Sequence, residues 1–126
     1  ISYKNDGKNR YLIYGIENRI EQIIANLLDN AISFSDDNKD VIVQVSKSED
    51  NKVYIKILDE GQGFKEKDTN KIFKRFYSNR PDKFGQHSGL GLNIVKNLVD
   101  LHNATIKATN REDKKGASME IEFPKV

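Results

Sequence analysis

The stretch of residues 19–35 constrains the fold of this chain most, since it has the periodicity of one amphipathic helix. Its apolar residues recur at spacings of three and four and therefore share one face: Ile20, Ile23, Ile24, Leu27, Leu28 and Ala31. Beside that face lie Asn26 and Asn30, one turn apart and roughly 40° from each other around the axis. Amides are poor helix formers and costly to bury without a partner. They either cap neighbouring backbone groups or bind a ligand, and a carboxamide oxygen suits Mg²⁺.

The composition indicates one folded domain, residues 1–126. Hydrophobic residues are 37% and charged residues 32% of the chain, and the apolar ones fall in periodic blocks, which argues against disorder. A formal charge of +2 is too close to balance to indicate a nucleic-acid partner. Without cysteine there is no disulfide and no thiolate metal site. No apolar run approaches the ~20 residues that span a bilayer, so we expect no direct membrane contact. The first residue is Ile, which suggests a fragment of a longer protein.

Alternation of apolar and polar residues predicts the strands. Residues 41–46 and 53–59 alternate on either side of a short turn, and residues 105–109 and 118–123 do the same around a charged turn. Each pair is expected to form an antiparallel hairpin. Residues 11–14 suggest one more short strand, and the polar residues before them suggest a trimmed edge.

Two further apolar stretches predict helices. Residues 90–99 form a strongly apolar helix that Asn103 is suited to end in the left-handed conformation. A short helix is expected around residues 72–76, and the polar loop 78–87 should be mobile. Glu17 and Asn18 supply an acid and a capping group at the start of the first helix. The expected fold class is α+β: a two-layer sandwich with a mixed, mostly antiparallel sheet on about three helices.

Two glycine stretches carry the remaining chemical signals. Asp59 follows a strand directly, and Gly61 and Gly63 after it would let a ligand ring approach the backbone closely. A carboxylate there can accept a hydrogen bond from an exocyclic amine, although the same pattern also occurs in ordinary turns. Residues 88–92 open a helix, where free backbone N–H groups bind phosphate oxygens. They match neither a Walker loop nor a dinucleotide fingerprint, and simple helix entry remains the alternative.

In this order the motifs resemble those of the catalytic ATP-binding domain of sensor histidine kinases, which shares the Bergerat fold with DNA gyrase, Hsp90 and MutL. The resemblance covers about residues 11–124. Residues 21–35 are similar to its N box, residues 59–63 to its G1 box, residues 72–77 to its F box and residues 88–92 to its G2 box. Gly116 begins a last glycine motif where the family has one.

The resemblance implies a role for each matched residue. Asn30 would coordinate Mg²⁺, Asn26 would lie beside the triphosphate of ATP, and Asp59 would bind the adenine amine. Gly61 and Gly63 would border the adenine. The remaining nucleotide contacts would come from Phe34, Phe73, Ser88, Gly89, Leu90, Gly91 and Leu92. Phe73 and Phe76 would also anchor a lid, although plain packing explains both. Arg75 or Arg80 would approach the γ-phosphate, and the alternative for each arginine is a solvated surface charge.

The chain departs from the family pattern in three places. Ser33 stands where the kinases usually have a lysine, His87 stands where a glycine usually opens the G2 box, and Asn103-Ala104 replaces a glycine pair. A phosphate contact is therefore lost or supplied by Arg80. The amides, Asp59 and the glycines of the lid are all retained.

The implied function is transfer of the γ-phosphoryl of Mg-ATP to a histidine on another domain. The partners would be a phosphoacceptor helical hairpin domain of the same protein and a downstream response regulator. The domain would be cytoplasmic and its parent an inner-membrane sensor. His87 and His102 are the only histidines, and neither lies in such a hairpin. Three alternatives remain: a hydrolytic ATPase, a serine kinase of the same fold, and a non-catalytic binding module. Hydrolases of the family have a glutamate base where this chain has Asn26, which cannot take a proton.

Overall fold

The computed structural model describes residues 1–5, 7, 10–35, 38–64, 72–73 and 90–126. These residues form five strands and two helices. In chain order they are β1 (Ser2–Lys4), α1 (Glu17–Phe34), β2 (Ile42–Lys47), β3 (Val53–Leu58), α2 (Leu90–Leu101), β4 (Thr105–Asn110) and β5 (Ala117–Phe123). The expected α+β class is confirmed, with helices and a mixed sheet in two layers.

The sheet has the order β1-β2-β3-β5-β4. The hairpins β2–β3 and β4–β5 are antiparallel, as their alternation predicts, and β3 and β5 are antiparallel neighbours at the centre. Only β1 among the described strands pairs parallel, with β2. The sheet is therefore mixed and mostly antiparallel.

The core lies between one face of this sheet and the two helices. Ile23 and Leu27 of α1, Val95 and Val99 of α2, and Ile121 of β5 are at most 1% exposed. The residues of the strands that point to the opposite face form polar pairs, in which Tyr54 donates to Glu122 and Lys56 faces Glu120. This division follows from the period of two in each strand and three to four in each helix. Within the described residues, no helix is long and apolar enough to span a bilayer.

The expected strand at residues 11–14 is wrong, and the polar edge contains a strand instead. Residues 10–16 form no ladder, yet Tyr11 and Ile13 pack against the core while Leu12 and Tyr14 are exposed. The alternation at residues 11–14 therefore reflects burial on one side of the segment, without a ladder among the described residues. Ser2–Lys4 pairs with β2 although two of its three residues are exposed.

The start of α1 also differs from the expectation for Asn18. The N-cap is Ile16, which has extended backbone and no side-chain cap. Its N–H donates to His102 Nε2 at 3.1 Å, and His102 Nδ1 bonds the Leu98 carbonyl at 2.7 Å. His102 thus joins the start of α1 to the end of α2. Asn103 has φ 56°, the left-handed conformation expected of it at this helix end.

The third expected helix falls mostly outside the described residues. Ile72 and Phe73 have 3₁₀ geometry and are buried at 3% and 6% exposure. Both belong to the core cluster, which agrees with the packing explanation for Phe73. The loop 78–87 lies outside the described residues, so its expected mobility stays a prediction.

Candidate functional site

Asp59 lies directly after β3 and is only 3% exposed. Its Oδ1 accepts hydrogen bonds from the N–H groups of Gly61 at 2.9 Å and Ala117 at 3.1 Å. Its own N–H donates to the Ala117 carbonyl at 3.0 Å. Hydrogen bonds from backbone N–H groups to a carboxylate are charge-assisted and strong. The carboxylate is therefore held in one orientation by two separate segments of the chain.

The two glycines after Asp59 are placed where the backbone is crowded. Gly61 is buried and forms an antiparallel bridge with Ser35, the residue after α1, whose Oγ accepts from the N–H of Glu60 at 3.3 Å. Gly63 has φ 77°, and a Cβ there would lie 2.5 Å from Asn110 Oδ1. A side chain at residue 63 would therefore be both strained and too close. We call residues 59–64 the Asp59 turn.

Residues from three other parts of the chain hold the Asp59 turn in place: the end of β4, the segment before β2 and the turn between β4 and β5. The amide of Asn110 accepts from the Phe64 N–H at 2.6 Å and donates to the Phe64 carbonyl at 3.1 Å. Glu60 accepts from the Asp40 N–H at 2.8 Å and pairs with Lys114 at 3.2 Å. The hydrogen bond from Asp40, followed by that from Lys114, lowers the pKa of the Glu60 carboxyl. The sequence predictions missed these supporting residues because nothing local in the pattern connects them.

The second part of the site lies along α1. Asn26 and Asn30 are half-buried and one turn apart, as expected, and we call them the amide edge. Within the described residues, neither carboxamide has a hydrogen-bond partner. The bonds expected if they capped backbone groups are therefore not seen there. Phe34 ends the helix and is buried at 7% exposure, but it lies outside the contiguous core cluster.

The third part is the start of α2, where Leu90 is the first helical residue. Gly91 is exposed, and a Cβ added there would meet nothing within 4 Å. Leu92 is half-buried and packs against the core. About one helical turn after Leu90, Asn93 Nδ2 donates to the Phe73 carbonyl at 3.2 Å. The sequence did not predict this hydrogen bond. The expected contributors Arg75, Arg80, Ser88 and Gly89 lie outside the described residues.

The chain matches a family profile described as "Histidine kinase-, DNA gyrase B-, and HSP90-like ATPase" over residues 15–126. The chain belongs to this family. Its relatives assign it to the histidine kinases of the family, as a catalytic ATP-binding domain. The expected resemblance to these kinases is thus confirmed, and the roles of single residues stay predictions.

Named relatives agree with this assignment. The sensor protein ChvG of Agrobacterium fabrum is 37% identical over 116 residues, which cover 90% of this chain and 19% of ChvG. The catalytic domain of the histidine kinase ThkA has a TM-score of 0.81 at 27% identity, with 98% of this chain and 77% of that one covered. The mycobacterial sensor histidine kinase MprB has a TM-score of 0.83 at 24% identity, with 98% and 79% covered, and supports the fold alone.

The chain spans about a fifth of the length of the curated relatives that it matches first, 19% and 20%. What those whole proteins sense and which partners they use therefore do not follow from the match. The shared part is the histidine-kinase ATPase domain.

Proposed function

We propose that this chain binds Mg-ATP and donates its γ-phosphoryl group to a histidine on a separate helical hairpin domain. That domain would belong to the same sensor protein, and a response regulator would receive the phosphoryl group next. Residues 1–126 would act as one catalytic domain on the cytoplasmic side of an inner-membrane sensor. Support comes from the family and from the relatives named as sensor kinases.

The amide edge of α1 carries this proposal. Asn26 and Asn30 are half-buried and have no hydrogen-bond partner within the described residues. A half-buried amide without a protein partner is costly, and a bound ligand would satisfy both side chains. Neutral amide oxygens also suit a cation that shares its remaining ligands with phosphate and water. The donor set therefore fits Mg²⁺ bound to a nucleotide.

Each part of the site would have a distinct task. Asp59, already held by backbone N–H groups, would accept the exocyclic amine of adenine. Asn30 would be the metal ligand and Asn26 would face the phosphates. The backbone near Gly91, at the start of α2, would donate to phosphate oxygens with the help of the helix dipole. Bound Mg²⁺ would neutralise charge on the phosphates, and the chain would supply position and orientation, on which phosphoryl transfer chiefly depends.

The histidines support an acceptor outside this chain. Both ring nitrogens of His102 make hydrogen bonds within the domain, to Ile16 and Leu98, and its side chain is buried. A nitrogen in such a bond is not presented to a nucleotide. His87 lies outside the described residues. The acceptor histidine is therefore expected on the partner domain.

The test mixes the chain with γ-labelled ATP, Mg²⁺ and the helical hairpin domain encoded by the same gene. The expected product is an acid-labile, alkali-stable phosphohistidine on the hairpin, with little inorganic phosphate released. Asn26 would hold ATP without activating water, which is why hydrolysis should be slow. A hairpin variant without the histidine is the control.

Each alternative has its own outcome in this experiment. Rapid release of phosphate without phosphohistidine would favour the hydrolase. Acid-stable label on a protein would favour the serine kinase. If calorimetry detects no binding of ATP, the non-catalytic binding module would be the alternative that is supported.

A further inference from the structure

The turn between β4 and β5, residues 111–116, closes over the backbone of Asp59. The Arg111 N–H donates to the Gly116 carbonyl at 2.9 Å and so closes the turn. A Cβ at Gly116 would lie 2.0 Å from the Asp59 carbonyl oxygen. Such a distance leaves no room for any side chain, so the two backbones are in direct contact. From the sequence, this turn was expected to be a charged connection that ends in the last glycine motif, and its contact with Asp59 was not predicted.

Arg111 makes the polar contact across this junction. Its guanidinium donates to the Asp59 carbonyl at 3.2 Å, and its side chain is only 4% exposed. Its Nε and a terminal nitrogen also donate to the two carboxylate oxygens of Asp113, at 3.0 and 2.8 Å. A bidentate pair fixes the plane of the guanidinium. Asp113 thus aims Arg111 at Asp59.

The contacts of Asp59 now account for its backbone as well as its carboxylate. The Ala117 carbonyl accepts from the Asp59 N–H, and the Ala117 N–H donates to Asp59 Oδ1. The Arg111 guanidinium donates to the Asp59 carbonyl. Without Arg111 the peptide plane after Asp59 would lose one of its restraints and could rotate. A hydrogen bond to a ligand tolerates only a few tenths of an ångström around 2.9 Å, and binding groups must be held within about 0.5 Å. Small rotations of this peptide would therefore weaken the hydrogen bond between the Asp59 carboxylate and the base.

We propose that Arg111, oriented by Asp113, is a positioning residue that sets the selectivity of the site for purines with an exocyclic 6-amino group. In this proposal Arg111 would not contact the nucleotide, since its guanidinium is bonded to Asp113 and to the Asp59 carbonyl. It acts through the Asp59 backbone, so its loss should weaken only those ligands that use the Asp59 carboxylate. This inference rests on the proposed binding of ATP.

The experiment compares ATP with inosine triphosphate, which has an oxygen in place of the 6-amino group, by calorimetry with Mg²⁺. Arg111→Met keeps most of the apolar stem and removes the donors. It should lower ATP affinity about tenfold and leave the affinity for inosine triphosphate within about twofold. Lys115→Met is the matched control, since Lys115 is exposed in the same turn and has no ion-pair partner within the described residues. It removes the same charge and should leave the ratio of the two affinities unchanged.

Two milder variants keep the test decisive if Arg111→Met does not fold. Arg111→Lys retains a cation without the bidentate geometry, and Asp113→Asn weakens the pair that orients Arg111. Both should reduce the ratio by a smaller factor, of about two to five.

An unchanged ratio in the folded variants would overturn the inference. An equal loss of affinity for both nucleotides is one such result, because it would indicate general destabilisation. Failure of the proposed function would look different: the unmodified chain would not bind ATP, or would not prefer it to inosine triphosphate.

Discussion

The Asp59 turn and the amide edge of α1 are built in opposite ways. Asp59 is buried, and backbone groups of Gly61 and Ala117 and the side chain of Arg111 hold it. Asn26 and Asn30 are only half-buried, and within the described residues no protein group bonds their amides. The Asp59 carboxylate is thus bonded by protein groups, whereas the two amides of α1 have no such bonds within the part of the chain that the structure describes.

This difference follows from the chemistry that each region would perform. A carboxylate that recognises one amine must be desolvated and fixed, because a mobile carboxylate would accept water or the wrong donor as readily. A cation with its phosphates brings its own ligands and needs only a few adaptable oxygens. A fixed carboxylate at the base and adaptable amides at the phosphates would therefore favour selective binding of a charged ligand. Four substitutions or conditions test the contrast.

Gly116→Ala should have the largest effect on stability, and it acts through the contact with the Asp59 turn. The added Cβ would lie 2.0 Å from the Asp59 carbonyl oxygen, on a residue with φ 148°. Backbone strain and overpacking together cost about 2–6 kcal/mol. Denaturant unfolding followed by circular dichroism should show this loss.

Gly91→Ala is the control for that experiment. A Cβ there meets nothing within 4 Å, and the residue lies in α2, so alanine should stabilise the chain by about 0.5–1 kcal/mol. If Gly116→Ala unfolds at the same denaturant concentration as the unmodified chain, the contact between the turn and Asp59 is not real.

Asp59→Asn should weaken ATP binding while the Asp59 turn keeps its fold. The amide oxygen can still accept from Gly61 and Ala117, although without charge assistance, so the unfolding midpoint should fall less than it does for Gly116→Ala. The charge-assisted bond to adenine would be lost, at roughly 1.5–3 kcal/mol, or about ten- to a hundredfold in affinity. Calorimetry giving equal affinities for both proteins would remove Asp59 from the site.

In the amide edge, Asn30→Ala should raise the stability of the chain while it weakens ATP binding. No partner is lost within the described residues and alanine is the better helix former, so the chain should become more stable by about 0.5 kcal/mol. ATP affinity should fall about tenfold with Mg²⁺ present and less when the metal is chelated. An equal loss in both conditions would contradict the metal role.

The smallest effect concerns acid, which should weaken the contacts of the Asp59 turn through Asp113. The hydrogen bond from Arg111 lowers the pKa of Asp113 from its ordinary 3.8 to about 2. A lowered pKa in the folded state means that its stabilisation is present above pH 3.8 and is lost as the pH falls toward 2. Asp113→Asn should therefore flatten the fall in stability across that window. Glu112→Gln, an exposed neighbour, should not; equal slopes for the two variants would argue against the Arg111 pair.

The predictable part of the fold is the part with local signals. The two hairpins follow from alternation, and α1 and α2 follow from spacings of three and four, because burial of one face imposes those periods. The strand at Ser2–Lys4 has no such signal, since its partner in β2 is forty residues away along the chain and supplies the pairing. Residues 11–14 show the reverse case: their alternation comes with burial on one side, but within the described residues it produces no ladder.

The candidate site divides in the same way. Asn26, Asn30, Asp59 and the glycines stood out because their residue types are unusual for their elements. Asn110 and Arg111 did not, because a polar residue before a charged turn is ordinary in sequence and only the fold brings it to the Asp59 turn. The start of α1 was misjudged for a similar reason, as His102 reaches its N-cap from the other end of the chain.

The central place of β5 has a consequence for how the chain acquires its structure. β5 is the last of the described strands to be synthesised, yet it lies between β3 and β4 and provides the backbone groups that bond Asp59. Long-range pairings of this kind form slowly because the intervening chain must first be closed into a loop. The hairpin β2–β3 and the helix α1 can form early on the ribosome, but the nucleotide site cannot. A chain released before Ala117 would expose the edge of β3 and lack the Ala117 groups that bond Asp59, so it would be a substrate for proteases before it could bind ATP.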